Sequence, residues 1–284
     1  MTTQLSFSGH QTFTCKQFWL KKGYQFVKNK KKFTDKNAVV DLGVGKNMVA
    51  SIHFWLKSFA ILDNEGITEI ADFIFDDQKG KDVYLEDIST IWLLHYLLIK
   101  TEKASIYSLF FNEFLKEKPT FTREQLKSWL VKRTESKVAE NSLHKDIEVL
   151  LRTYQKPKKV RGIEKDFINI FVTLNLLSEI DKKITININE KKNLAPAIFL
   201  YAILDNKAFE NTNSINIKEL RFSRNSVGLI FGLTLDAIYE KIHQIVDLYP
   251  NQIIFTETAG TPVLQFKEKI DKMTVLNDYY NHNH

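Results

Sequence analysis

Residues 217–266 read IKELRFSRNSVGLIFGLTLDAIYEKIHQIVDLYPNQIIFTETAGTPVLQF, and their periodicities decide the fold class. Ile217–Phe222 reads as a short helix. In Thr234–Leu248, Leu235, Ile238, Ile242, Ile245 and Tyr249 recur at helical spacing and mark a buried stripe. Ile253–Glu257 and Pro262–Phe266, joined through Ala259-Gly260-Thr261, form a predicted β-hairpin. Helix, helix, hairpin is the order of a winged helix.

The rest of the chain has the same grammar. Only ten Gly and five Pro interrupt 284 residues, so helix dominates. Met48, Ile52, Trp55, Phe59 and Leu62 predict one amphipathic helix. Asp87 precedes a helix that is apolar nearly all round, the pattern of an element buried on most sides. Ala104–Leu115 predicts another helix. Thr122 and Gln125 are spaced as a capping box for a helix to Arg133, and Asn141 or Ser142 then caps one carrying Leu143, Ile147, Leu150, Leu151 and Tyr154. Beyond the basic stretch Gln155–Lys165 come a helix over Phe167–Leu177, a strand over Lys183–Asn189 and a helix over Leu194–Leu204. The expected fold is mainly α with short β-hairpin wings in tandem winged-helix-like parts. Its boundaries are 1–155, a basic linker over 156–165, and 166–284.

Composition narrows the function classes. With 44% hydrophobic and 26% charged residues the chain is neither disordered nor low-complexity. Its longest apolar runs, Ile91–Ile99 and Ala197–Leu204, fall short of the roughly 18 residues that span a bilayer, so no membrane role is expected. MTTQLSFSGH has no secretory pattern, and Cys15 is the single cysteine, which together point to the cytoplasm. Charge is unevenly distributed. Residues 1–60 hold ten Lys against two acids, 61–100 three Lys against nine acids, and 101–165 fifteen bases against nine acids. Basic blocks of this kind suit either a solvated surface or a polyanion such as double-stranded DNA.

Two segments have the chemistry for that polyanion. Gly43-Val44-Gly45-Lys46-Asn47 opens a helix, where unpaired backbone N–H groups and the positive end of the helix dipole favour phosphate. The spacing is not that of a nucleotide-binding P-loop. His53, facing away from the apolar stripe, and Lys21 and Lys22 join this set. In the second segment Asn141, Ser142, His144 and Lys145 occupy the first turns of a helix, the positions that reach base edges when such a helix enters a major groove. The alternatives are an ordinary helix start and an ordinary amphipathic helix. The matching C-terminal helix is expected to expose Asp236, Glu240, Lys241, Gln244 and Asp247, a face suited to protein contact, including a homodimer through the C-terminal part. The acids Asp72, Asp76, Asp77, Asp82, Glu86 and Asp87 read either as a solvated block or as ligands of a hard cation. Glu190-Lys191-Lys192 faintly echoes a nuclease motif, and His95 reads as a core histidine.

A set of motifs resembles one known family. They are Phe7-Ser8-Gly9-His10-Gln11-Thr12-Phe13, Trp19–Gly23, Leu42–Val49 with Ser51, Ile52 and Trp55, Tyr84–Asp87 with Trp92–His95, Phe121–Glu124, and Asn141–Leu143 through Leu151–Tyr154. In this order they are similar to the domain-of-unknown-function family, with SspB-like members, of bacterial DNA phosphorothioation clusters. That family often has Arg where this chain has Cys15-Lys16 and His53. The resemblance implies an antiviral defence role as a DNA-nicking component beside a cysteine desulfurase and ATPase subunits. It gives no catalytic residues, so chemistry must choose them. A nickase needs carboxylates holding Mg²⁺ or Mn²⁺ to activate water. Asp35, Glu86 and Asp87 are the candidates, Glu86 and Asp87 as metal ligands, with His10 as a base. Capping the apolar helix is the competing role for Glu86 and Asp87. The competing function is a non-catalytic DNA-binding adaptor or transcription regulator.

Overall fold

The computed structural model describes residues 5–156, 169–258 and 260–283. About half of the chain is helical, and it carries two small three-stranded antiparallel sheets. Two compact units divide it, 1–186 and 187–284.

The first unit begins with α1 (Gln17–Lys28), α2 (Ala38–Leu42), α3 (Lys46–Ser58), α4 (Glu69–Phe75) and α5 (Ile88–Lys100). Every residue of α5 from Ser89 to Ile99 is buried, as its all-round apolar pattern requires. α3 stops at Ser58, before the expected Leu62, because Ala60 turns left-handed at φ 56°. α6 (Ser105–Leu109) runs through a π turn, Phe110–Phe114, into α7 (Leu115–Glu117), so the single helix expected over 104–115 changes geometry midway. β1 (Thr120–Phe121) leads to α8 (Arg123–Arg133), whose capping box is formed by Thr122 and Gln125 in both directions. α9 (Glu140–Tyr154) starts earlier than expected. Ala139, not Asn141 or Ser142, is its N-cap and offers no side-chain bond, while Glu140 of the first turn pairs with Lys127 at 2.6 Å.

Around α5 the core is aromatic. His95 is fully buried, with Nδ1 2.9 Å from the Tyr154 hydroxyl and its ring edge-on to Trp92, Phe111 and Phe171. It is the core histidine its apolar neighbours imply.

The expected helix over 167–177 does not form in its described part, 169–177. A 3-10 turn at Val172–Leu174 ends at left-handed Asn175 and passes into β2 (Leu177–Ile180) and β3 (Lys183–Ile186). The linker expected over 156–165 lies, apart from residue 156, outside the described residues. The compact units themselves part after Ile186, because β3 pairs with β1 through Thr120–Thr185 and Phe121–Ile184 and so ties the β2–β3 hairpin to the first unit. Sheet order is β1-β3-β2.

The second unit runs α10 (Pro196–Leu204), β4 (Ser214–Asn216), α11 (Ile217–Phe222), α12 (Val227–Phe231), α13 (Leu235–Leu248), β5 (Ile253–Thr258), β6 (Thr261–Phe266) and α14 (Lys272–Asn283). The sheet order β4-β6-β5 repeats that of the first unit. On α13, Ile238, Ile242 and Ile245 are buried as expected, but Leu235 is exposed. Lys241 departs from expectation: it is buried, with Nζ bonded to Gln244 Oε1 at 3.1 Å, because it sits one position from Ile242 on the inward arc. The exposed face of α13 keeps Asp236, Glu240 and Asp247 and is acidic.

Lys191 is also buried, which removes it from any catalytic reading of Glu190-Lys191-Lys192. Its ammonium donates to Asn187 O at 2.6 Å, and burial pushes its pKa down to about 8. A folded-state pKa below the unfolded one means that folding disfavours the charged form. That cost is fully present below about pH 8 and fades as pH rises toward 10.5. Lys191→Met is therefore expected to raise the thermal midpoint by a few degrees at pH 7. The difference should shrink between pH 8 and 10.5, as read by calorimetry across that range.

Candidate nucleic-acid interface

The glycine segment is built as two joined helix ends. Gly43 closes α2 in the left-handed region at φ 58°, with its N–H on Val40 O, and Val44 N–H bonds Val39 O. Gly45 is the N-cap of α3. Its backbone is extended at φ −67°, which any residue adopts, and a Cβ placed there would meet nothing within 4 Å. The fold itself thus gives no reason for glycine at position 45. A surface that lets another molecule come close to the backbone does. Lys46 and Asn47, in the first turn of α3, are exposed beside it.

Three residues expected at this surface do something else. Lys21 is buried, and its ammonium is held by Phe75 O at 2.6 Å and by the Asp77 carboxylate. Lys22 is exposed but donates to Leu42 O at 3.0 Å, closing the C-terminal end of α2. His53 stacks on Phe33, with centroids 4.5 Å apart and 12° between planes. Burial, and then Lys57, lower its pKa, so it is neutral at physiological pH and offers phosphate no charge. The acidic block explains part of this. Lys28 bonds Asp72 at 2.7 Å and approaches Asp76 at 3.3 Å, and the Tyr24 hydroxyl donates to Asp72 at 2.6 Å. Burial alone would raise the Asp72 carboxyl, but the bonds from Lys28 and Tyr24 outweigh it and leave it below its usual range. Burial and Asp72 push the Tyr24 hydroxyl up to about 12. α4 thus neutralises one face of α1. Lys30, Lys32, Lys36 and Lys46 stay exposed.

The N-terminal turns of α9 match their expected exposure. Asn141, His144 and Lys145 face solvent and Ser142 is half-buried, opposite buried Leu143, Ile147, Leu150 and Leu151.

Within that buried stripe lies Asp146, 2% exposed, which the sequence reading passed over. Its carboxylate accepts the Ser8 N–H at 2.9 and 3.1 Å and the Ser8 hydroxyl at 3.3 Å, and its Oδ1 stands 3.1 Å from His10 Nε2. His10 Nδ1 accepts the Thr12 N–H at 3.1 Å, which leaves the imidazole proton on Nε2, facing Asp146. The ring stacks on Trp55, and the His10 carbonyl accepts the Ser51 hydroxyl. Trp55 Nε1 donates to Phe13 O at 3.2 Å, and Arg152 donates to Thr12 O at 2.9 Å. A Cβ at Gly9 would come 2.3 Å from the Phe54 ring. Residues 8–13 are therefore a clasp between α3 and α9. His10, 1% exposed, has no access to substrate, and this corrects its assignment as a base. An acid on an apolar stripe was the available signal for Asp146.

The carboxylate candidates also have local work. Asp87 caps α5 by accepting the Ser89 N–H at 2.7 Å. Asp82, 8% exposed, accepts the N–H groups of Glu86 and Asp87 at 2.8 and 3.1 Å. Glu86 itself is exposed. Asp35 closes an exposed turn by accepting the Lys32 N–H at 3.0 Å. Among the described residues no group of three or more His, Cys, Asp or Glu side chains is placed to hold a metal ion. Asp146→Ala should cost about 3 kcal/mol, because it strands buried donors of the clasp. Asp87→Ala should cost about 1 kcal/mol, the usual value of a lost cap. Urea denaturation of the two variants measures both, and equal effects would contradict the clasp.

No curated protein matches the chain. Two solved structures are similar in fold over 98% of this chain and 88% of theirs. A magnesium ion-bound SspB crystal structure has a TM-score of 0.86 at 24% identity, and an SspB crystal structure has 0.85 at 25%. The family described as protein of unknown function (DUF4007) matches residues 7–280. The chain belongs to that family.

Proposed function

We propose that this protein is a DNA-binding component of a bacterial DNA phosphorothioation system, and that each compact unit is a winged helix. The observation that carries the reading is the clasp: it fixes α3, with its open glycine turn, to α9, with its exposed polar turns. A duplex would be held by phosphate at the first and by base edges at the second. The shared order of both sheets, with the hairpin after two or more helices, supports the winged-helix assignment. So does the likeness in fold to SspB, through which the phosphorothioation context is carried over. α13, whose exposed face is acidic, would meet a protein: a second copy, or the cysteine desulfurase and ATPase subunits of the system, in the cytoplasm.

Nicking of the duplex with Mg²⁺ or Mn²⁺ is the catalytic form of this proposal. One of the similar SspB structures is magnesium-bound, and exposed Glu86 and Asp35 remain available as ligands. The capping role of Asp87 and the buried clasp role of His10 favour the non-catalytic adaptor or regulator.

Binding to a short duplex, titrated from low to physiological salt, should show a steep linear fall of log affinity with log salt. Lys46→Ala should weaken binding equally for all sequences, while His144→Ala and Lys145→Ala should also flatten sequence preference. A flat salt curve removes the nucleic-acid reading. Plasmid relaxation with Mg²⁺ or Mn²⁺ against EDTA separates nickase from adaptor. Glu86→Gln and Asp87→Asn with full nicking would remove that carboxylate assignment.

A further inference from the structure

The tip of the β2–β3 hairpin combines features that its own folding does not call for. Ile180 pairs with Lys183, so Asp181 and Lys182 alone make the turn, at φ 49° and 65°. Two left-handed residues in a two-residue turn define type I′, whose preferred sequences are Asn-Gly and Gly-Gly. A lysine at the second position holds a strained backbone where glycine would be relaxed. Beside it Ile180 is 73% exposed, and Lys182 and Lys183 both face solvent. An isolated exposed apolar residue is ordinary. One flanked by two cations on a strained turn is a surface of definite chemistry.

The tip is also held in place. Arg123 of α8 grips both oxygens of Glu179 at 3.0 Å, and its Nε donates to Glu148 of α9 at 3.2 Å. Glu179 has a side chain only 9% exposed. One guanidinium thus fixes the hairpin to the helix whose first turns carry Asn141, His144 and Lys145. The acids near the tip are Asp181 within the turn and Glu124 of α8, whose carboxyl feels Lys182.

We infer that the hairpin tip Ile180–Lys183 is a second DNA contact: Lys182 and Lys183 bind backbone phosphates and Ile180 lies against the sugars and base edges of the minor groove. This rests on the DNA-binding reading above and adds a site to it. Cations on phosphate with an apolar side chain at the bases is how minor-groove contacts are made. Arg123 is a positioning residue that sets the distance between this contact and α9.

The test uses the full chain. Cys15 is fully buried, so Ile180→Cys and, separately, Lys145→Cys each provide one reactive thiol for a benzophenone maleimide. Irradiation with a short duplex should cross-link DNA from both positions. Cross-linking from 145 but not from 180 overturns the hairpin contact and keeps the DNA reading. Cross-linking of 180 to a second copy of the chain makes the tip a protein contact and also overturns it. A wild type that binds no duplex overturns both. Lys182→Gly gives a second readout that does not risk the fold. It should raise the thermal midpoint by relieving the strained turn, and reduce the slope of log affinity against log salt by about one unit. A raised midpoint with the slope unchanged would leave Lys182 only structural and overturn its phosphate contact.

Discussion

A carboxylate that cannot reach water organises the first unit. Asp146 sits in the apolar stripe of α9, where its charge must be met in full by protein groups. The Ser8 amide and hydroxyl and the His10 imidazole meet it. These donors come from a segment that also holds α3 through Ser51 and Trp55. The backbone accepts strain to do this: Ser8, Gln11 and Thr12 all lie in the left-handed region. Removing the carboxylate would release the N-terminal strap from α9 and, with it, the link between the two helices whose first turns face solvent.

Electrostatics follows the same division between interior and surface. A count of lysines overstates the cationic face, because Lys21 and Lys28 are neutralised by α4 and Lys22 closes α2. What remains, Lys30, Lys32, Lys36 and Lys46, lies around the glycine turn in sequence, and a smaller group lies at the start of α9. α13 carries acids where α9 carries His144 and Lys145. The two units therefore share strand order and differ in charge, a pairing that suits one unit for a polyanion and the other for protein.

Elements governed by local chemistry were legible in the sequence. The capping box of Thr122 and Gln125, the all-round apolar α5 and the β5–β6 hairpin each depend on residues a few positions apart. Elements governed by distant partners were not. Nothing within ten residues of His10 says that Asp146 will face it, and nothing beside Lys21 announces Asp77. The helix expected over 167–177 failed for the same reason: pairing of β3 with β1 overrides local preference there. Lys241 was misplaced because a long side chain with one polar tip can lie inside when the tip finds Gln244.

The order of the strands has a consequence for synthesis. In each sheet the strand made last lies in the centre, β3 between β1 and β2, and β6 between β4 and β5. A ribosome therefore produces both edge strands before the strand that joins them. β1 waits from residue 121 to residue 183 for its partner, and β4 from 216 to 261. Neither sheet can close by hairpin formation alone, so each unit completes its fold only after its last strand has left the exit tunnel. Until then the nascent chain presents unpaired strand edges, the surfaces on which chaperones and misassembly compete.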